Sequence, residues 1–111
     1  MNAIDLPDTA ANLPEAWNSL LLGQVGGAGV KVLRMDGHPG EPESHDRAEA
    51  LLVLDGVLRL VADGIEVDVR AGELYLVEAG VEHAVRPGSR GTLVIVEHLP
   101  HADGVLSTAR H

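Results

Sequence analysis

Gly37-His38-Pro39-Gly40-Glu41-Pro42-Glu43-Ser44-His45-Asp46-Arg47-Ala48-Glu49-Ala50-Leu51-Leu52-Val53-Leu54-Asp55-Gly56 is the stretch that decides the fold. Its first half is polar, rich in His and Glu, and set among prolines and glycines. Its second half is an apolar run closed by Asp-Gly. Carboxylates and imidazoles crowded beside a short hydrophobic run read as a ligand-bearing loop on a β-scaffold.

Downstream, short strands and tight turns alternate. Residues 51–54 and 57–61 flank Asp55-Gly56, which reads as a two-residue hairpin because both central positions favour positive φ. Asp63-Gly64 repeats the signal. From Ile65 the pattern alternates strictly, with Ile65, Val67 and Val69 on one side and Glu66, Asp68 and Arg70 on the other. A period of two marks a half-buried strand. Ala71-Gly72 and Ala79-Gly80 are turns around a strand at 74–77. Residues 83–86 and 92–97 are two more strands, separated by the loop Pro87-Gly88-Ser89-Arg90-Gly91.

Upstream, residues 19–25 and 30–35 are strands joined by Gly26-Gly27-Ala28-Gly29. No Lys-Ser/Thr and no helix follow these glycines, so a phosphate loop is not expected. Residues 1–18 form an arm in which Asp8-Thr9 caps a helical turn through Ala10, Ala11 and Leu13. Trp17 is expected to dock either on the barrel or on a second subunit. Residues 19–99 are the barrel and residues 100–111 a tail. Eight or nine short strands without a long helix imply an all-β sandwich or barrel.

Composition narrows the function classes. The 111 residues make one domain, 45% hydrophobic, with Trp17 and Tyr75 as the only aromatics. The core is therefore aliphatic. A small aliphatic core has little margin, so a homodimer is expected. The formal net charge of −9, with Lys31 and seven scattered arginines, argues against nucleic acid as a partner. Nothing reads as a membrane span or a signal peptide, and there is no Cys, so a cytoplasmic location is expected.

Spacing brings the chemistry into view. Glu43 and His45 are two apart, so on a strand they share a face. His45 and Glu49 are four apart, roughly 13 Å on a straight strand. Ligands of one ion each sit about 2.0–2.2 Å from it. If these residues bind one ion, Asp46-Arg47-Ala48 must be a corner. His83 follows the turn Gly80-Val81-Glu82 and opens another strand.

These residues resemble the two motifs of a small single-domain cupin, the RmlC-like jelly roll. The first motif of that family runs Gly, five residues, His-any-His, three or four residues, Glu, six residues, Gly. Gly37, Glu43, His45, Glu49 and Gly56 match it, with Glu43 in the first His place. The second motif is matched by Gly72, Glu78, Gly80, His83 and Pro87, with Glu replacing Pro and Pro replacing Asn. The likeness covers roughly residues 30–97. It implies a double-stranded β-helix with a divalent transition metal (Mn, Fe, Ni or Zn) held by Glu43, His45, Glu49 and His83. Small cupins include oxygenases and isomerases, so the resemblance implies a metal-dependent enzyme acting on a small molecule. A non-catalytic module that holds a small ligand is the alternative. Glu43 is expected either to bind the metal, to act as a catalytic base, or to pair with an Arg such as Arg47.

The remaining histidines carry structural expectations only: His38 in a Gly/Pro loop, His98 and His101 towards the tail, and His111 at the end. Glu73, Glu78 and Glu82 read as solvated turn residues. The scarcity of aromatics argues against a site that recognises flat substrates by stacking.

Overall fold

A computed structural model describes residues 2–100 of the chain. One short helix, α1 (Leu6–Ala11), precedes seven strands: β1 (Leu20–Val25), β2 (Ala28–Asp36), β3 (Glu49–Ala62), β4 (Ile65–Arg70), β5 (Leu74–Val77), β6 (His83–Val85) and β7 (Arg90–His98). All pairings are antiparallel. The sheet runs β1-β2-β7-β3-β4, and β5 and β6 also pair with β3. This is the all-β jelly roll expected from the sequence. No helix among the described residues is long and apolar enough to cross a membrane.

The helix starts earlier than the sequence suggested. Asp5, not Asp8-Thr9, is its N-cap; the Asp5 carboxylate accepts from the Asp8 N–H at 3.0 Å. Pro7 sits in the first turn, where a missing N–H costs nothing. The Arg34 guanidinium on β2 donates to the carbonyls of Ala10 (2.9 Å) and Leu13 (2.7 Å). The Ala10 carbonyl also accepts from the Leu13 N–H at 3.2 Å, and the two guanidinium bonds staple the arm to the sheet.

The second correction concerns Asp55-Gly56. It is not a hairpin. β3 runs through it without a break for 14 residues. Its first half pairs with β5 and its second half with β4 and β6, while β7 follows it across a register shift between Val53 and Asp55. The shift is a bulge, which bends a strand and lets it pass from one sheet layer to the next. Gly56 takes φ 77°, and a Cβ placed there would lie 1.9 Å from the Arg90 carbonyl oxygen. Asp55 accepts from the Thr92 N–H at 3.1 Å. The dipeptide therefore shapes a corner within one strand. Asp63-Gly64 is the true two-residue hairpin: Ala62 faces Ile65, and both central residues have positive φ (50° and 76°).

The core is aliphatic, as composition demanded. Leu33, Met35, Leu51, Val53, Leu58, Leu60, Val69, Val77, Leu93 and Ile95 fill the barrel, with Trp17 and Tyr75 packed against them. Burying each Leu or Ile contributes about 1.5–3 kcal/mol. A second cluster lies outside the sheet, where Ala10 of α1 covers Val32 and Val94. Strands β2, β7 and the first half of β3 thus have apolar side chains on both faces.

Candidate metal centre

Residues 40–45 run beside β6 without forming a full ladder. Pro39 and Pro42 have no N–H to donate. What remains is a bond from the Gly40 N–H to the Val85 carbonyl (3.1 Å) and one reciprocal bridge: Glu43 N–H to His83 O and His83 N–H to Glu43 O, both 2.8 Å. Residues paired this way project to the same face. His45, two positions on, joins them, its carbonyl accepting from the Gly80 N–H at 2.7 Å. The chain then bends at Asp46 and Arg47 before β3 begins, the corner that the spacing of His45 and Glu49 requires.

The result is a group of three. One ligand atom each from Glu43, His45 and His83 lies within 4.8 Å of the others. Donors sharing one ion at about 2.1 Å are roughly 3–4 Å apart, so a small side-chain adjustment brings these three onto a common centre. The His45 and His83 rings are 5.7 Å apart between centroids and tilted by 53°.

Glu49 stands beside this group. It opens β3 with the inward parity of Leu51 and Val53, and it is 3% exposed. Its Oε1 is 3.1 Å from His83 Nε2, and His83 is also 3% exposed. The Val81 carbonyl lies 3.1 Å from His83 Nδ1. A carbonyl can only accept, so Nδ1 carries the proton. Nε2 then points its lone pair, or a second proton, towards Glu49. The hydrogen bond to Glu49 raises the His83 pKa above its ordinary value; burial opposes this, and Val81 and the charges of Glu49 and Glu43 reinforce it. The resulting stabilisation is complete below the ordinary imidazole pKa and is lost as pH rises through the raised one. Two imidazoles and two carboxylates meeting from three segments suit a borderline divalent cation.

Some expectations fall elsewhere. Arg47 is exposed, and its ion pair with Glu43 is not among those of the described residues. Glu73, Glu78 and Glu82 are exposed, as a solvated turn would have them. His101 and His111 lie outside the described residues.

Two features escaped the sequence reading. Lys31, the only lysine in the chain, is 9% exposed and lies 2.7 Å from Glu97. It has the inward parity of Leu33 and Met35, which was the available signal. Glu97 is the cross-strand partner of Glu49, so this ion pair flanks the site. The other feature is a cavity of about 410 Å³ that has Glu43 in its wall and reaches Trp17, Asp36 and His38. The Trp17 indole N–H donates to Asp36 Oδ1 at 2.6 Å, and the His38 ring lies 3.0 Å from Asp36 Oδ2. Trp17 thus docks on its own barrel.

A small antiparallel jelly roll carrying a Glu-His-His group that can hold a metal ion defines a class of β-barrel protein. The chain belongs to the cupin family: the family described as Cupin domain matches residues 32–99. No curated protein matches the chain. Solved structures share the fold. A cupin-2 domain containing protein from Shewanella frigidimarina superposes with a TM-score of 0.77 at 22% identity, over 86% of this chain and 93% of that one. An RmlC-like cupin from the same organism gives 0.67 at 22% identity, over 78% and 79%. KdgF from a Halomonas species gives 0.64 at 16% identity, over 78% and 82%.

Proposed function

We propose that this cupin is a metal-dependent enzyme acting on a small molecule, with a divalent transition ion (Mn, Fe, Ni or Zn) held by Glu43, His45 and His83 and with Glu49 completing the set. The convergence of three ligand atoms, two from residues 43–45 and one from β6, within 4.8 Å carries the reading. When bound, such an ion supplies Lewis-acid polarisation or an open position for dioxygen, the chemistry of isomerases and oxygenases. The chain does the rest. The Val81 carbonyl fixes the His83 tautomer and aims Nε2 into the site, as outer partners of ligating histidines do. Buried Glu49 faces the same nitrogen and favours positive charge there. Glu43 touches both the group and the cavity, so it is the residue best placed to meet a substrate, as ligand or as proton acceptor.

The test is metal uptake after chelation and reloading, read by elemental analysis and native mass spectrometry. The wild type is expected to retain a stoichiometric ion, and His83→Ala to lose it while staying folded. Glu43→Gln separates the two roles of that residue. Weakened retention makes it a ligand; retention at wild-type affinity removes it as a ligand and, with slowed turnover, makes it the proton acceptor. A wild type that takes up none of the four metals leaves the non-catalytic ligand-binding module, which the cavity beside Glu43 would serve.

We propose further that the chain forms a homodimer through the outward face of β5, the first half of β3 and β7. The cross-strand neighbours Leu76–Ala50–Val96 and Leu74–Leu52 make this face apolar, up to Val94, which α1 covers. Leu74 and Leu76 are 56% and 61% exposed, more apolar surface than a lone barrel gains by leaving in water.

A further inference from the structure

The cavity between the N-terminal arm and residues 38–43 has a chemistry of its own. Its volume, about 410 Å³, suits a small organic molecule. Trp17, Pro39 and Val85 are the apolar part of its lining. The lining also carries three carboxylates, Asp36, Glu41 and Glu43, together with the His38 imidazole. No Arg or Lys is among the lining residues. An anion entering this space would lose its hydration against like charges. A neutral molecule would meet hydrogen-bond acceptors but gain nothing from the charge. A cation gains from the carboxylates, and an indole is the side chain that best stabilises a cation over its ring.

The ring and the first carboxylate are fixed in place. Asp36 Oδ1 accepts from the Trp17 indole N–H at 2.6 Å and from the His38 backbone N–H at 3.1 Å. The Trp17 backbone N–H is tied to the Arg34 carbonyl at 2.9 Å, and the residue holds φ 66°. Positive φ is unfavourable for a bulky side chain, so these bonds hold the indole against a local preference for another conformation. A pre-set wall spends little conformational entropy when a ligand arrives.

We propose that this cavity binds a small organic cation, an alkylammonium or quaternary ammonium group, with its charge facing Asp36, Glu41 and Glu43 and its carbon skeleton against Trp17, Pro39 and Val85. The proposal deepens the functional reading above, because Glu43 belongs to both sites. It names the charge class of the substrate that would approach the metal centre. It does not depend on the metal being present.

Trp17 is the only tryptophan in the chain, so its emission reports on the cavity alone. Chelator-treated, metal-free protein is titrated with tetramethylammonium chloride, with glycerol and with sodium acetate at constant ionic strength. A saturable change in Trp17 emission is expected with tetramethylammonium, at concentrations where glycerol and acetate give none. Glu41→Gln removes one charge from an exposed residue that the fold does not need. It is expected to weaken the cation about two- to fivefold, the range for one exposed charge, with the circular-dichroism spectrum unchanged. Acetate or glycerol saturating as readily as the cation overturns the proposal, as does cation affinity unaltered by Glu41→Gln. No saturable response to any of the three also overturns it. Failure of metal uptake with a positive titration removes the metal reading and keeps this one; the reverse outcome removes this one alone.

Discussion

Asp36 shows how one carboxylate can organise its neighbours. The His38 backbone N–H, the Trp17 indole and the His38 ring hold its pKa down from 3.8 to about 2. A carboxylate depressed in the folded state stabilises fully above its unfolded pKa, and the contribution fades as pH falls through the folded one. Release of Trp17 is therefore expected as pH drops from 3.8 towards about 2. Trp17 emission should stay native through the ordinary carboxylate range and change only below it; in Asp36→Asn that acid step should vanish. A transition centred near the ordinary value would mean that the Trp17–Asp36 bond does not form in solution. Lys31 is the opposite case, a charge almost sealed inside. Replacing it with Met strands Glu97, which is partly exposed, so a loss of about 1–3 kcal/mol is expected in denaturant unfolding. Adding Glu97→Leu should recover most of it, because removing both charges leaves neither unpaired. If the double variant is less stable than Lys31→Met alone, Glu97 has work beyond this pair.

At the scale of elements, β3 carries the lesson. Its polarity pattern revealed strand on each side of Asp55-Gly56, and both stretches are strand, within one unbroken β3. The dipeptide's meaning was hidden because the same positive φ serves a hairpin or a corner. What decides between them is β7, which begins 34 residues beyond Gly56 and whose Arg90 carbonyl presses against it. Gly56→Ala is expected to cost more than about 2 kcal/mol, since strain and collision add. Gly64→Ala, in the true hairpin, meets no atom within 4 Å and should cost only the backbone strain, about 1 kcal/mol. Equal losses in the two variants would remove the close approach as the reason for glycine at 56. The candidate site was legible for a related reason. Glu43 and His45 share a face by simple parity, and the Glu49 spacing demanded a corner that the bends at Asp46 and Arg47 supply. The cavity was not legible, because its walls come from an arm and a loop that no periodicity connects. Lys31 was passed over as one more scattered charge, although its place between apolar neighbours marked it as buried.

For the whole molecule, the doubly apolar sheet sets how it meets its surroundings. Sedimentation at micromolar concentration is expected to return a dimer, and Leu74→Glu with Leu76→Glu a folded monomer. A wild-type monomer under those conditions would leave the outer face without a partner of its own kind. One feature of the topology bears on how the chain gets there. β7 lies between β2 and β3, so the last of the described strands is inserted into the middle of the sheet. Until it leaves the ribosome, β2 and β3 have no neighbour on that side, and their backbone groups stay open to other chains. Folding therefore waits until β7 has been made and is limited by non-local pairing rather than by local turns. A nascent chain halted before Arg90 has no native state to reach, however complete its site residues are.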